Sequence, residues 1–149
     1  NGGGIRASIN AGSISVGDVF NVLPFDNTLV VLEVSGANIK AALERSVSEY
    51  PQQLGGFLQV SGLSFEFDPL KAPGERVVSV LVDNKPLDEK KTYTVATNDF
   101  LAAGGDGYDM LKDAKVVFES GDMLRDVFAE HIKALGKVSS GTEGRIVAK

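Results

Sequence analysis

A chain of 149 residues with 43% hydrophobic content is long enough to bury a real core as one globular unit without covalent staples. It holds no cysteine, which excludes disulfides, thiolate zinc sites and cysteine nucleophiles while leaving the compartment open. A formal charge of −5, a pI near 4.9 and the lack of any lysine–arginine cluster argue against a nucleic-acid polymer as partner, because a phosphate backbone calls for a basic face.

In chain order, Ser15 and Asp18 stand three residues apart as in a capping box and predict a short helix through Asn21 that ends near Pro24. That leaves Phe25 on a loop. Thr28 to Val34 is rich in β-branched residues and leucine and reads as a strand, after which Ser35-Gly36 launches a helix from Ala37 to Tyr50. Its stripe Ile39, Leu43, Val47 recurs every four residues, with Lys40, Glu44, Arg45 and Glu49 elsewhere, so the helix is expected to pack on one side only. Gly55-Gly56 breaks the chain before Phe57 to Val60, and Leu63, Phe65 and Phe67 alternate with polar residues as in a half-buried strand that Pro69 ends. Val77 to Val82 and Thr92 to Thr97 read as two more strands around an Asp83-Asn84 turn, a hairpin or near-neighbour pair. The second runs directly into Phe100. Lys115 to Glu119 is a late short strand, Ser120-Gly121-Asp122 a helix start, and Leu124, Val127, Phe128, Ile132 and Leu135 the stripe of a last helix stopped by Gly136.

These elements predict a single α+β domain over 1–149, with mixed or antiparallel sheets and packed helices, although pattern alone leaves an α/β sandwich open. No segment approaches the ~20 apolar residues of a membrane span. The first residue is Asn rather than Met and opens a recognisable motif, so a piece of a longer protein is expected.

Three motifs carry the candidate chemistry. In Asn21-Val22-Leu23-Pro24-Phe25 and in Asn98-Asp99-Phe100, a phenylalanine follows a helix- or strand-like run and falls on a loop. Core packing is the ordinary fate of a phenylalanine, and Phe20, Phe57, Phe65, Phe67, Phe118 and Phe128, all in strand or helix patterns, are assigned to core or element packing. Phe25 and Phe100 are read instead as two faces that clamp a flat ring. Asn1-Gly2-Gly3-Gly4-Ile5-Arg6 lacks the Gly-Lys-Ser/Thr ending of a P-loop; it is either a flexible start or a backbone nest beside Arg6, whose planar fork suits oxygen ligands. Gly104-Gly105-Asp106-Gly107 is either a tight turn or a glycine frame that offers the Asp106 carboxylate to vicinal hydroxyls. Asn98 and Asp99 receive no ligand role, Tyr108 reads as core, and His131, the one histidine, as a partly exposed helix residue without partners for a metal. No calcium-type loop and no Gly-x-Ser-x-Gly elbow is present.

Taken together and in this order, the three motifs resemble the C-terminal substrate-binding domain of the 5'-nucleotidase family, which includes UDP-sugar hydrolases and cyclic-nucleotide phosphodiesterases. The resemblance runs from Asn1 to Glu143-Gly144-Arg145-Ile146. It implies a base sandwiched by Phe25 and Phe100, contacts to base, ribose or phosphate from Asn1 and Arg6, and a ribose held by Asp106. It also implies an N-terminal metallophosphatase domain in cis, holding two divalent metal ions, of which this chain has no trace. The chain alone is therefore expected to bind a nucleoside or nucleotide without hydrolysing it, to hold no metal or cofactor, and to work outside the cytoplasm, as a secreted, periplasmic or cell-surface protein of nucleotide catabolism. Rival readings are a stand-alone nucleotide-binding module and a structural domain with a degenerate pocket.

Overall fold

The computed structural model describes residues 1–149. Helix α1, Val16–Val22, starts at the expected capping box: the Ser15 hydroxyl accepts from the Asp18 N–H while the Asp18 carboxylate accepts from the Ser15 N–H. The Ser15 hydroxyl also donates to that carboxylate, and this bond, with the one from the Ser15 N–H, lowers the Asp18 carboxyl from its ordinary value. Strand β1, Thr28–Ser35, buries Val30, Leu32 and Val34 on alternate positions. Ser35 then caps helix α2, Gly36–Val47, through its hydroxyl to the Asn38 N–H.

Helix α2 is shorter than its pattern and gripped on more sides. It ends at Val47 instead of Tyr50, because Ser48 turns its N–H to the Arg45 carbonyl in a tighter turn ahead of Pro51. Ile39, Leu43 and Val47 are buried as expected, and Ala42 and Ser46 widen the stripe. The polar face is engaged too. Glu44 accepts from the backbone N–H groups of Arg76 and Val77, and Arg45 Nε donates to the Asp106 carbonyl. Arg76, itself buried, returns its guanidinium to the Val47 and Tyr50 carbonyls and so closes the helix end.

The remaining strands form two sheets. β5, Thr92–Asn98, and β6, Lys115–Met123, flank β1 antiparallel on either side. β2, Leu63–Phe67, pairs antiparallel with β3, Val77–Val82, and parallel with β7, Ile146–Ala148, while β4, Lys85–Pro86, closes the far edge. β3 and β5 are therefore not a hairpin or neighbours, as their spacing implied. Asp83 and Asn84 both take left-handed φ, 49° and 60°, and turn β3 onto Lys85–Pro86 instead. The chain then leaves for the other sheet, where β5 matches β1 over seven register pairs from Leu29↔Asn98 to Ser35↔Thr92.

β6 also departs from expectation by running through Ser120-Gly121-Asp122, which bulges opposite Thr28–Val30 before helix α4, Leu124–Leu135, begins. The Ser120 hydroxyl accepts from the Asp122 N–H, so its capping chemistry is used inside the bulge. Gly136, at φ 70°, ends α4. One core of 14 residues gathers β1, α2, β2 and β3 with Leu101, Tyr108 and Leu111. Of the phenylalanines assigned to packing, Phe65 and Phe67 lie in this core and Phe57 packs against it, while Phe118 on β6 and Phe20 on α1 are each about half exposed. No helix is long and apolar enough to cross a membrane.

Candidate functional site

β5 ends in Asn98, whose side-chain oxygen accepts from the Leu101 N–H and caps the short helix α3, Asp99–Ala102. That cap sets Phe100 on the first turn with its ring 43% exposed, while the next residue, Leu101, is buried. The ring lies against Gly105, where a Cβ would come within 2.5 Å of its Cζ. The chain then passes through Gly104, Asp106 and Gly107, all with left-handed φ; Asp106 sits at 55°, a conformation aspartate tolerates better than most residues.

Asn1 and Asp106 meet. Asn1 Nδ2 donates to Asp106 Oδ2 at 2.6 Å, bringing the first motif onto the third from the far end of the chain. The loop carrying Gly55 and Gly56 holds both in place: Gly2 and Gly3 donate to the Phe57 and Gly55 carbonyls at 2.7 and 2.6 Å, and the Tyr108 hydroxyl donates to the Gly56 carbonyl at 2.5 Å. These bonds overturn the picture of Gly2 to Gly4 as an open nest, since Gly4 also donates, to the Asn1 carbonyl. Burial raises the Tyr108 hydroxyl to about 12 from its ordinary value near 10.

Phe25, 50% exposed, stands just beyond α1 after Pro24. It and Asn1 share the wall of a cavity of about 400 Å³ whose opposite side is α4, through Leu124, Phe128 and His131. Its α4 neighbour is Arg125, whose Nη1 donates to the Phe25 carbonyl at 3.1 Å and pairs with Asp26 at 2.6 Å, while the guanidinium lies 4.7 Å from the centre of the Phe20 ring. The aromatic pairs of the fold are Tyr50–Phe67 and Phe65–Phe67, so neither candidate ring is engaged with another ring. Arg6 stands apart: its backbone N–H ties the first loop to the Val22 carbonyl, and its exposed guanidinium makes a single long contact, 3.5 Å, to the Gly3 carbonyl.

Of the five sequence candidates, Asn1 and Asp106 are joined by a hydrogen bond and Phe100 lies on Gly105 beside them, while Phe25 shares a cavity wall with Asn1 that neither Phe100 nor Asp106 lines, and Arg6 is not brought to them. Asp99 went unassigned, yet its Oδ1 accepts from Asn27 Nδ2, the Thr28 N–H and the Phe100 N–H at 2.9, 3.1 and 2.8 Å. Its Asn-cap neighbour was the only local sign. Arg45 and Arg125 reach Asp106 and Phe25 across long sequence gaps that no spacing rule reports, and Tyr108, expected as core, is buried directly after the Asp106 motif. His131 lies exposed on the cavity wall, and no group of three or more histidine, cysteine or carboxylate residues is disposed to hold a metal ion. The residues present do not fit a metal centre.

The unit is thus a mixed sheet-and-helix domain with an exposed aromatic on each of two anchored turns, which an amide–carboxylate contact ties together. Residues 1–113 match the family described as 5'-nucleotidase, C-terminal domain, and the chain belongs to that family. It is 43% identical over 152 residues to the trifunctional nucleotide phosphoesterase protein YfkN of Bacillus subtilis, an alignment covering 98% of this chain and 10% of that protein. With a snake venom 5'-nucleotidase of Naja atra it shares 42% identity over 159 residues, 99% of this chain and 30% of the relative. The crystal structure of a 5'-nucleotidase precursor from Thermus thermophilus superposes with a TM-score of 0.95 at 48% identity, covering all of this chain and 31% of that one. The chain therefore spans between a tenth and a third of the length of these relatives.

Proposed function

We propose that residues 1–149 form the single nucleotide-binding domain of a phosphoester hydrolase, gripping a base between Phe25 and Phe100 and the ribose through Asp106. The observation that carries this reading is the Asn1–Asp106 hydrogen bond beside the Phe100 ring on Gly105, which draws an amide, a carboxylate and an exposed aromatic to one place. Stacking on two half-exposed rings tolerates any base, and the carboxylate supplies the acceptor that vicinal hydroxyls need. Arg6, free of any ion pair, offers its guanidinium to a phosphate. Hydrolysis belongs to a metallophosphatase domain in cis, outside these residues, since the donor set here is not a metal site. The kinship with a venom enzyme supports a secreted or otherwise extracytoplasmic setting.

The test changes protein and ligand together. Asp106→Asn keeps a residue that accepts left-handed φ but removes the charge, and should weaken a ribonucleoside by about 1.5–3 kcal/mol, the scale of a charge-assisted bond. A 2',3'-dideoxynucleoside should lose far less. Equal losses for the two ligands in calorimetric titrations would remove Asp106 from the ribose.

A further inference from the structure

The two stacking candidates sit on separate segments whose relation no backbone ladder sets directly, since Phe25 precedes β1 and Phe100 follows β5. Two side chains span the gap. Asp99 takes three donors on one carboxylate oxygen, two of them from Asn27 and Thr28 at the exit of the Phe25 turn and the third from Phe100 itself. Arg125 holds the same turn from the opposite flank through the Phe25 carbonyl and the Asp26 carboxylate.

We propose that Asp99 and Arg125 are positioning residues that fix the spacing and tilt of the Phe25 and Phe100 rings; the inference rests on the stacking role proposed above and concerns groups that need not touch the ligand. The physical case lies in what each side chain gives up. The Arg125 side chain is only 13% exposed and its Nε is buried without a partner, a cost that an arginine on a solvent-facing turn of a helix would not bear. In return its Nη1 meets a carbonyl and a carboxylate on adjacent residues, Phe25 and Asp26. Bonds to a charged carboxylate are the stronger kind, and three of them on Asp99 leave its rotamer little freedom. Rings held in place before binding lose less entropy when a base arrives, so the grip tightens without a new contact. Arg125 also lies beyond the 1–113 stretch that matches the family, so this hold comes from a part of the chain the match does not describe.

The experiment is a double-mutant cycle on the whole chain, read by adenosine titration and, without ligand, by fluorine NMR of a 4-fluorophenylalanine placed at position 25. Asp99→Ala and Arg125→Met should each weaken adenosine by about tenfold in the native background, within the range of a lost stacking partner, yet by less than about twofold when Phe25 is already alanine. Asp99→Asn, which keeps an oxygen acceptor, should recover most of the affinity. In the ligand-free protein either loss should broaden or split the fluorine resonance. Equal losses in both backgrounds, or an unchanged resonance, would overturn the proposal and leave both residues as supports of the fold. If Asp99→Ala does not fold, Arg125→Met carries the cycle. Should the native chain bind no nucleoside, the stacking role falls, and the fluorine spectrum alone still decides whether the brace orders the ring.

Discussion

Gly105 lacks a side chain, and the space a side chain would need is filled by the Phe100 ring, with Cζ, Cε1 and Cε2 all within 2.6 Å of where a Cβ would lie. The restriction is one of contact, not of backbone angle. Gly105→Ala should therefore expel the ring from its seat, and because Phe100 is already 43% exposed it can swing outward at little cost to the fold. Nucleoside affinity should fall toward that of Phe100→Ala, a loss of about 1–3 kcal/mol, while thermal stability barely changes. The combined variant then shows no further loss of affinity. Additive losses in the double variant would mean that Gly105 shapes the site by some route other than the ring.

Among the elements, α2 is set by its start. Gly36 and Ala37 donate to the Lys91 and Glu89 carbonyls, pressing the first turn onto the segment between β4 and β5 so closely that a Cβ on Gly36 would lie 2.1 Å from the Asp88 carbonyl oxygen. Backbone cannot yield as a side-chain tip can, so Gly36→Ala should destabilise the chain by at least the ~1–3 kcal/mol of an overpacked core, measured by denaturant unfolding. A change of a few tenths would show that the segment slides aside. The helix itself was legible because its signals are local: Ser35 at the cap and a four-residue apolar spacing. Partner choice between strands was not. β3 and β5 are consecutive long strands with equally good patterns, and only the paired left-handed φ of Asp83 and Asn84 sends the chain to a two-residue strand instead. Ser120 misled for the same reason, since a hydroxyl followed by a glycine and a carboxylate serves a bulge as readily as a helix start.

At the scale of the whole molecule, the turns that carry Phe25, Phe100 and Asp106 were legible because glycine and proline punctuate them and leave their side chains partly exposed. What supports them was hidden, because Asp99, Arg125 and Tyr108 act across the fold. Tyr108 couples the site to the core most directly: it is fully buried, belongs to the 14-residue core, and donates its hydroxyl to Gly56, in the loop whose carbonyls hold Gly2 and Gly3 beside Asn1. Its pH dependence follows from burial, which favours the neutral phenol and raises it to about 12 in the folded chain against an ordinary value near 10. Below the unfolded value both states keep the proton and the hydrogen bond contributes fully. Between the two values the unfolded chain releases the proton while the folded chain retains it, so stability declines as pH rises, by about 1.4 kcal/mol per pH unit. Comparison with Tyr108→Phe isolates the share that belongs to this hydroxyl. The difference in unfolding free energy between the native chain and that variant should stay level up to about pH 10 and then shift against the native chain as pH rises toward about 12. A difference that stays level throughout would mean that the buried phenol ionises as easily as one in water, and that the Gly56 loop is held by something other than this proton.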